Sequence, residues 1–290
     1  MAQDITLDKA EADKAEINKP KAAVFQKRKY RKLQREHVEE VCISIGTFVV
    51  LAIIWYVITK LKLVSDVLVP TPARVLKSLR TLIFEGYKGV PLLKHLTDSL
   101  YRLLSAYVLA GIFGIALGLA SGYNRRIRAV FDPLVEFYQS LPPLAYYTLL
   151  IIWLGIENKS KITLLFLAAF ASVYISSMSG VKAVREDYIN GAYTLGAKKM
   201  QVFWHVIFPA SLPYIFTGLR TSMAAAFGTL VAAEMVASVT GIGWMVFDAS
   251  RFLRSDIIFA GLIVMGITSI VLDRTIRFAE KKIVPWKGKE

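Results

Sequence analysis

The sequence predicts an all-α integral membrane protein, and three observations carry that prediction. The 290 residues are 55% apolar, with a mean hydropathy of +0.47, more than an ordinary soluble domain holds. Six runs are apolar over the length of about 20 residues that a helix needs to cross a hydrocarbon core. Lysine and arginine are shared unevenly among the segments that join those runs. A formal net charge of +14 would point to nucleic acid in a soluble protein. In this class it reflects basic flanks facing the cytoplasm, and no nucleic-acid partner is expected.

Residues 1–40 read as a cytoplasmic basic N-terminal tail. They are too long and too charged for a secretory signal, and no cleavage pattern precedes the first apolar run. Residues 1–18 mix both signs, and 19–35 are basic: Lys19, Lys21, Lys27, Arg28, Lys29, Arg31, Lys32 and Arg35. They form either a solvated tail or a patch for anionic headgroups, at about 1 kcal/mol per basic residue. The transmembrane domain then occupies 41–290, with spans at about 41–61, 98–121, 130–154, 162–181, 213–236 and 257–276. The lone cysteine, Cys42, excludes an internal disulfide and is expected to be a buried, inert thiol.

Between the first two spans, Pro70-Thr71-Pro72 opens a stretch whose Val75, Leu79, Leu82 and Ile83 recur at helical spacing, with Arg74, Lys77 and Arg80 between them. This is the pattern of an amphipathic surface helix. Pro142-Pro143 should break or kink the third span, because each proline lacks an amide donor. Spans two and five are rich in small residues, Gly111, Gly114, Gly118 and Gly218 to Ala233, which let membrane helices approach closely. Trp55, Trp153 and Trp244 suit an interfacial belt.

With the N-terminus inside, the cytoplasmic segments carry 23 lysines and arginines against 11 on the outer segments. Both termini are therefore expected in the cytoplasm, and so is the 182–212 loop. The chain holds no phosphate-binding GxxxxGK[ST], no HExxH, no CxxC and no GxSxG. It is expected to be non-catalytic, with no metal site and no cofactor of its own. His37, His95 and His205 are scattered near membrane borders and read as interfacial.

Ionisable residues inside spans are costly and face protein or water. Glu136 is either a border carboxylate paired with Arg125 or Arg128, or part of a polar path with Tyr138, Gln139, Pro142, Pro143 and Tyr146. Glu234 is either a buried partner near the outer surface or a gate residue. Arg220 and Arg102 would snorkel to headgroups by default; Arg102 could instead receive an anion at the outer mouth, beside Arg251 and Arg254.

The loop EDYINGAYTLGAKKMQVFWHVIFPASLPYIFTGLR, from Glu186 to Arg220, resembles the cytoplasmic loop of permease subunits of ATP-driven (ABC) importers. Their motif places two small residues, three residues and then glycine; here it reads Asn190-Gly191-Ala192, three residues, Gly196-Ala197. Phe131-Asp132-Pro133-Leu134, Leu141-Pro142-Pro143-Leu144-Ala145, Trp153-Leu154-Gly155-Ile156, Ala233-Glu234-Met235 and Gly241-Ile242-Gly243-Trp244-Met245 extend the likeness to the nitrate, sulfonate, taurine and bicarbonate importers. Val284-Pro285-Trp286-Lys287-Gly288 looks closest to the taurine branch.

That resemblance implies a six-helix type I ABC importer transmembrane domain in the bacterial plasma (inner) membrane. It also implies a second copy of the chain, two ABC ATPase subunits that bind ATP and Mg, and a periplasmic or lipid-anchored substrate-binding protein. Glu186, Asn190, Gly191, Ala192, Gly196 and Ala197 would form the ATPase-docking segment. The cargo would be a small anion or zwitterion, taurine or another sulfonate before nitrate or bicarbonate. Two other classes stand beside this one: an ion-coupled secondary carrier using Glu136 or Glu234, and a membrane scaffold. The docking loop and the lack of a visible inverted repeat weigh against the carrier.

Overall fold

This computed structural model describes residues 46–287, together with Glu39, Cys42 and Ile43. The basic tail and the start of the first expected span, those three residues apart, lie outside the described residues. The chain divides into two compact units, one ending at Ser65 and the other beginning at Asp66. The first contains α1 (Gly46–Lys60), a short apolar helix. Cys42 is exposed, not buried as expected, and so are Ile43 and Phe48. An apolar side chain that meets lipid needs no protein cover.

The second unit runs through α2 (Pro72–Phe84), α3 (Leu92–Tyr123), α4 (Arg125–Gln139), α5 (Pro143–Leu154), α6 (Asn158–Lys182), α7 (Glu186–Thr194) and α8 (Lys199–Val202). It continues with α9 (Phe208–Ala237), α10 (Ile242–Arg251) and α11 (Ser255–Ile283). A π-helical turn, Phe203–Ile207, joins α8 to α9. Among the described residues, strand pairing is limited to an isolated bridge between Tyr87 and Val90.

Four stretches are long and apolar enough to cross a membrane: Leu92–Tyr123, Asn158–Lys182, Lys199–Ala237 and Ser255–Ile283. The run expected at 130–154 is not one helix. It is α4 and α5, of 15 and 12 residues, each shorter than a hydrocarbon core of about 30 Å at about 1.5 Å per residue. The proline pair is the cause. Pro143 sits at the first position of α5, where a missing N–H costs nothing, and it pushes Pro142 into extended backbone. The amides of the break are still satisfied: Ser140 N–H donates to Glu136 O at 3.3 Å and Leu141 N–H to Tyr138 O at 3.1 Å.

α6 is the middle of the bundle, with α3 on one side and α9 on the other. The small residues are what bring them together. A Cβ on Gly118 would lie 2.5 Å from Tyr174 O on α6, and one on Gly218 of α9 would lie 2.4 Å from Ser176 Cβ. Leu103, Ala106 and Ala110 of α3, Leu165, Ala169 and Tyr174 of α6, and Phe216, Met223, Ala226 and Leu230 of α9 close the core. α2 is the expected amphipathic helix. Thr71 caps it, accepting from Arg74 N–H at 3.3 Å, and Val75 and Leu82 are buried against the bundle while Ile83 faces out.

α3 and α9 fix two ends of this bundle. The start of α3 and the end of α9 meet α10 at one end; the end of α3 and the start of α9 meet α7 and α8 at the other. At 32 residues, α3 separates those ends by about 48 Å.

Candidate functional site

At the α10 end, the chain builds a buried polar clamp. Gly241, Ile242 and Gly243 present three successive N–H groups where α10 begins, and helix starts leave such donors without partners. Each finds one. Gly241 N–H donates to His95 Nδ1 at 3.1 Å, Ile242 N–H to Ser99 Oγ at 2.9 Å, and Gly243 N–H to Glu234 Oε2 at 2.9 Å. His95 and Ser99 come from α3 and Glu234 from α9, so one helix start is tied to both. Gly241 has φ +123, and a Cβ there would fall 2.3 Å from the Glu234 carboxyl carbon. Only glycine satisfies both conditions.

Glu234 is fully buried, and its charge is answered by Arg102, which is 4% exposed. Arg102 Nη1 donates to Glu234 Oε1 at 2.7 Å and to Thr240 O at 2.9 Å. Its Nε donates to Asn158 Oδ1 at 2.7 Å, and its Nη2 to Thr240 Oγ1 at 3.1 Å. Ser99 Oγ donates to Glu234 Oε1 at 2.7 Å. Of the readings the sequence allowed, Glu234 thus takes that of a buried partner. Arg102 neither snorkels nor stands open to an anion. Its charge is neutralised and most of its donors are occupied.

His95 is not interfacial but completely buried, stacked on Trp244 with ring centroids 5.7 Å apart. Trp244 therefore packs inward, whereas Trp153 is exposed as a belt residue would be. Beside the clamp, Asp248 accepts from Tyr87 Oη at 2.8 Å and pairs with Lys88 at 2.6 Å. Burial raises the Asp248 carboxyl, but those bonds from Lys88 and Tyr87 outweigh it and leave its pKa below the usual carboxylate range. Arg254 pairs with Asp256, and Arg251 lies over the Phe247 ring.

Under the clamp a cavity of about 860 Å³ is lined by Arg102, Asn158, Lys159, Lys161, Ser238 and Thr240, among others, with Ile156, Val236 and Val239 at an exposed rim. Lys161 is 3% exposed. The sequence reading took it only as the flank of the fourth span and, with Ser160, as part of the family likeness, not as a site residue. It lies three residues after Asn158 at the start of a span, a position that periodicity treats as a flank.

The other expected path residues divide: Tyr138 and Tyr146 pack against the core, Tyr138 with its hydroxyl buried, while the rest lie toward an open face. Glu136, Gln139 and Pro142 are exposed, Pro143, Tyr138 and Tyr146 partly so. Glu136 makes no ion pair among the described residues, so the expected partnership with Arg125 or Arg128 is absent. Arg220 does not snorkel either; it reaches Asp273 of α11 at 3.3 Å.

At the opposite end, α7 carries Glu186, Asn190, Gly191 and Ala192, and the turn after it Gly196 and Ala197. Gly196 has φ +81; its N–H donates to Tyr193 O at 2.9 Å and that of Ala197 to Ala192 O at 3.1 Å. This is a Schellman stop, and it explains why glycine follows the small pair at that spacing. Ile189, Ala192 and Ala197 pack inward against Val202 and Ile207. Nothing lies within 4 Å of a Cβ added to Gly191, while Tyr188, Leu195, Met200 and Trp204 are exposed, Leu195 at 89%. His205 is also exposed there, with Nδ1 3.0 Å from Gln201 O.

Residues 110–285 match the family described as "Binding-protein-dependent transport system inner membrane component". The chain is 41% identical over 250 residues to "Taurine transport system permease protein TauC" of Escherichia coli (strain K12), covering 86% of this chain and 91% of that protein. It is 34% identical over 228 residues to "Nitrate import permease protein NrtB" of Synechocystis sp., covering 76% and 82%. Among solved structures, a chain of the MetNI methionine ABC transporter in an inward-facing conformation superposes with a TM-score of 0.52 at 18% identity, covering 64% of this chain and 93% of that one. That likeness is one of fold, the helical fold of a type I importer permease.

Proposed function

The chain belongs to the family of inner-membrane components of binding-protein-dependent transport systems, as the permease subunit of an ABC importer, and we propose that its cargo is a taurine-like organic sulfonate. The single observation that carries this reading is the 41% identity to the taurine permease over nearly the whole of both chains. A second reading, nitrate, has its own support in the 34% identity to a nitrate permease.

The working unit in this proposal is two copies of the chain, two ATPase subunits that bind ATP and Mg, and a binding protein outside. The chain itself does no chemistry. Both termini and α7 face the cytoplasm, and α7 with its Gly196 turn seats in the ATPase. Its support is an exposed surface of Tyr188, Gly191 and Leu195 on a helix that the bundle needs only on its other side.

Closure of the ATPase pair on ATP would then pull α7. The pull passes through α8 and the π turn into α9, one continuous helical run from Lys199 to Ala237. The π turn ends just before Pro209, which cannot donate to the helix ladder, and such turns give a helix a place to flex. Glu234 at the far end of α9 carries the motion to the clamp and α10. Glu136, Gln139 and Pro142, on an uncovered face, would line the path or meet the second copy. Calorimetry of the cognate binding protein against taurine, alkanesulfonates, nitrate and bicarbonate tests the cargo. Tight taurine binding is expected, and a binding protein that takes nitrate and ignores sulfonates would replace the first reading with the second.

A further inference from the structure

The cavity beneath the clamp holds one positive charge more than the described residues answer. Arg102 and Glu234 cancel each other at 2.7 Å. At the rim, Lys159 and Glu157 are both exposed and of opposite sign. Lys161 is left over: 3% exposed, with no carboxylate partner among the described residues. A buried cation without a counter-charge is costly unless something anionic comes to it.

The geometry shows where that anion would sit. The Lys161 ammonium has three protons to donate. Two are used on the turn after α5, with Nζ 2.6 Å from Ile156 O and 3.2 Å from Glu157 O. The third is not used among the described residues. Asn158 lines the same cavity, and its carboxamide oxygen is taken by Arg102, so its amide protons also remain available. A fixed charge, an unused ammonium proton and a neighbouring amide donor in a space of about 860 Å³ make a receptor for a small anion with several oxygens.

We infer that Lys161 is the anion-receiving group of the importer, with its unused proton and the Asn158 amide hydrogen-bonding the sulfonate oxygens of the cargo as it enters. This rests on the sulfonate reading above. Because Arg102 is locked in the clamp, Lys161 is the buried cation of this cavity left to meet the sulfonate of a zwitterionic cargo such as taurine.

The test uses the full importer in proteoliposomes, this chain with its ATPase subunits and binding protein, and taurine as the probe. Lys161→Gln, which keeps a donor for the carbonyls but not the charge, should lower taurine uptake by about tenfold or more. Lys161→Arg should keep uptake within about threefold of the parent. Both should assemble with the ATPase as the parent does. Full uptake by Lys161→Gln overturns the inference. So does an equal loss in both variants, which would reduce Lys161 to a brace for the turn between α5 and α6. If Lys161→Gln does not assemble, the unmodified complex trapped with ATP and 2-bromoethanesulfonate decides. Bromine signal in this cavity supports the inference; signal elsewhere in the membrane domain, or none at saturation, overturns it. Calorimetry of the binding protein separates the two failures. A protein that binds nitrate but no sulfonate defeats the cargo reading alone, and the Lys161 variants are then read with nitrate.

Discussion

The two ends of this bundle are built on opposite plans. At the α10 end, polar groups are buried and meet one another: three backbone N–H groups reach His95, Ser99 and Glu234, and Arg102 reaches Glu234, Asn158 and Thr240. At the α7 end, apolar side chains such as Tyr188, Leu195 and Met200 are exposed. A network with its bonds made inside one chain fixes geometry. A surface of tyrosine, leucine and glycine left open asks for a partner. In the proposed reading, the difference separates residues needed for folding from residues needed for assembly, although both sets lie in motifs that the family resemblance joins together.

That separation can be broken most forcefully at Glu234. Glu234→Ala leaves the Arg102 guanidinium and the Gly243 N–H buried without partners. A loss of about 3–5 kcal/mol is expected, read as a large drop in the thermal unfolding temperature in detergent. Gly241→Ala should follow, since its Cβ would strike the Glu234 carboxyl and its φ of +123 is strained for any side chain. A normal melting curve for either variant would mean that the clamp does not hold the fold.

The α7 end should behave the other way. Gly191→Trp adds bulk into open space on a helical backbone. Its effect on stability should stay within about 1 kcal/mol, while co-purification with the ATPase and transport-coupled ATP hydrolysis are lost. Retained assembly would remove the docking role. Gly191 is the cleaner position for this test than Gly196, whose φ of +81 would add strain to the readout.

The smallest effect belongs to Asp248, outside the clamp. Its carboxyl has a folded pKa below the usual range, so its contribution is full at neutral pH and declines as pH falls through and below that range. Asp248→Asn should cost under about 1 kcal/mol at neutral pH, and its stability should converge with that of the parent in acid. A variant gap that widens toward low pH would reverse the assigned sign.

The sequence announced these features unevenly, for physical reasons. Pro142-Pro143 was legible because a missing N–H breaks a helix whatever surrounds it. The close approach of α3 to α6 was legible in Gly114 and Gly118, because small residues at helical spacing serve mainly that purpose. The Gly196 turn was legible as a motif, though its cause, a left-handed stop, needed the backbone angle. The clamp was legible only in part. Glu234 read as a buried partner near the outer surface, with Arg102, Arg251 and Arg254 as the nearby arginines, but nothing said which of them it meets. Arg102 and Glu234 are 132 residues apart, and neither periodicity nor charge says which distant carboxylate a buried arginine will meet. His95 read as interfacial for the same reason, since its partner is a backbone N–H contributed by Gly241. Lys161 looked like a span flank, because burial by a neighbouring loop leaves no trace in local sequence.

The central claim is that this chain moves an organic sulfonate under the drive of ATP, and one reconstitution tests it most directly. Proteoliposomes containing the chain and its ATPase subunits, with the cognate binding protein supplied at the outer face of the transporter, are given labelled taurine. The expected result is uptake that requires both ATP and the binding protein. Taurine uptake by the chain alone, driven by a proton or sodium gradient without any ATPase, would contradict it.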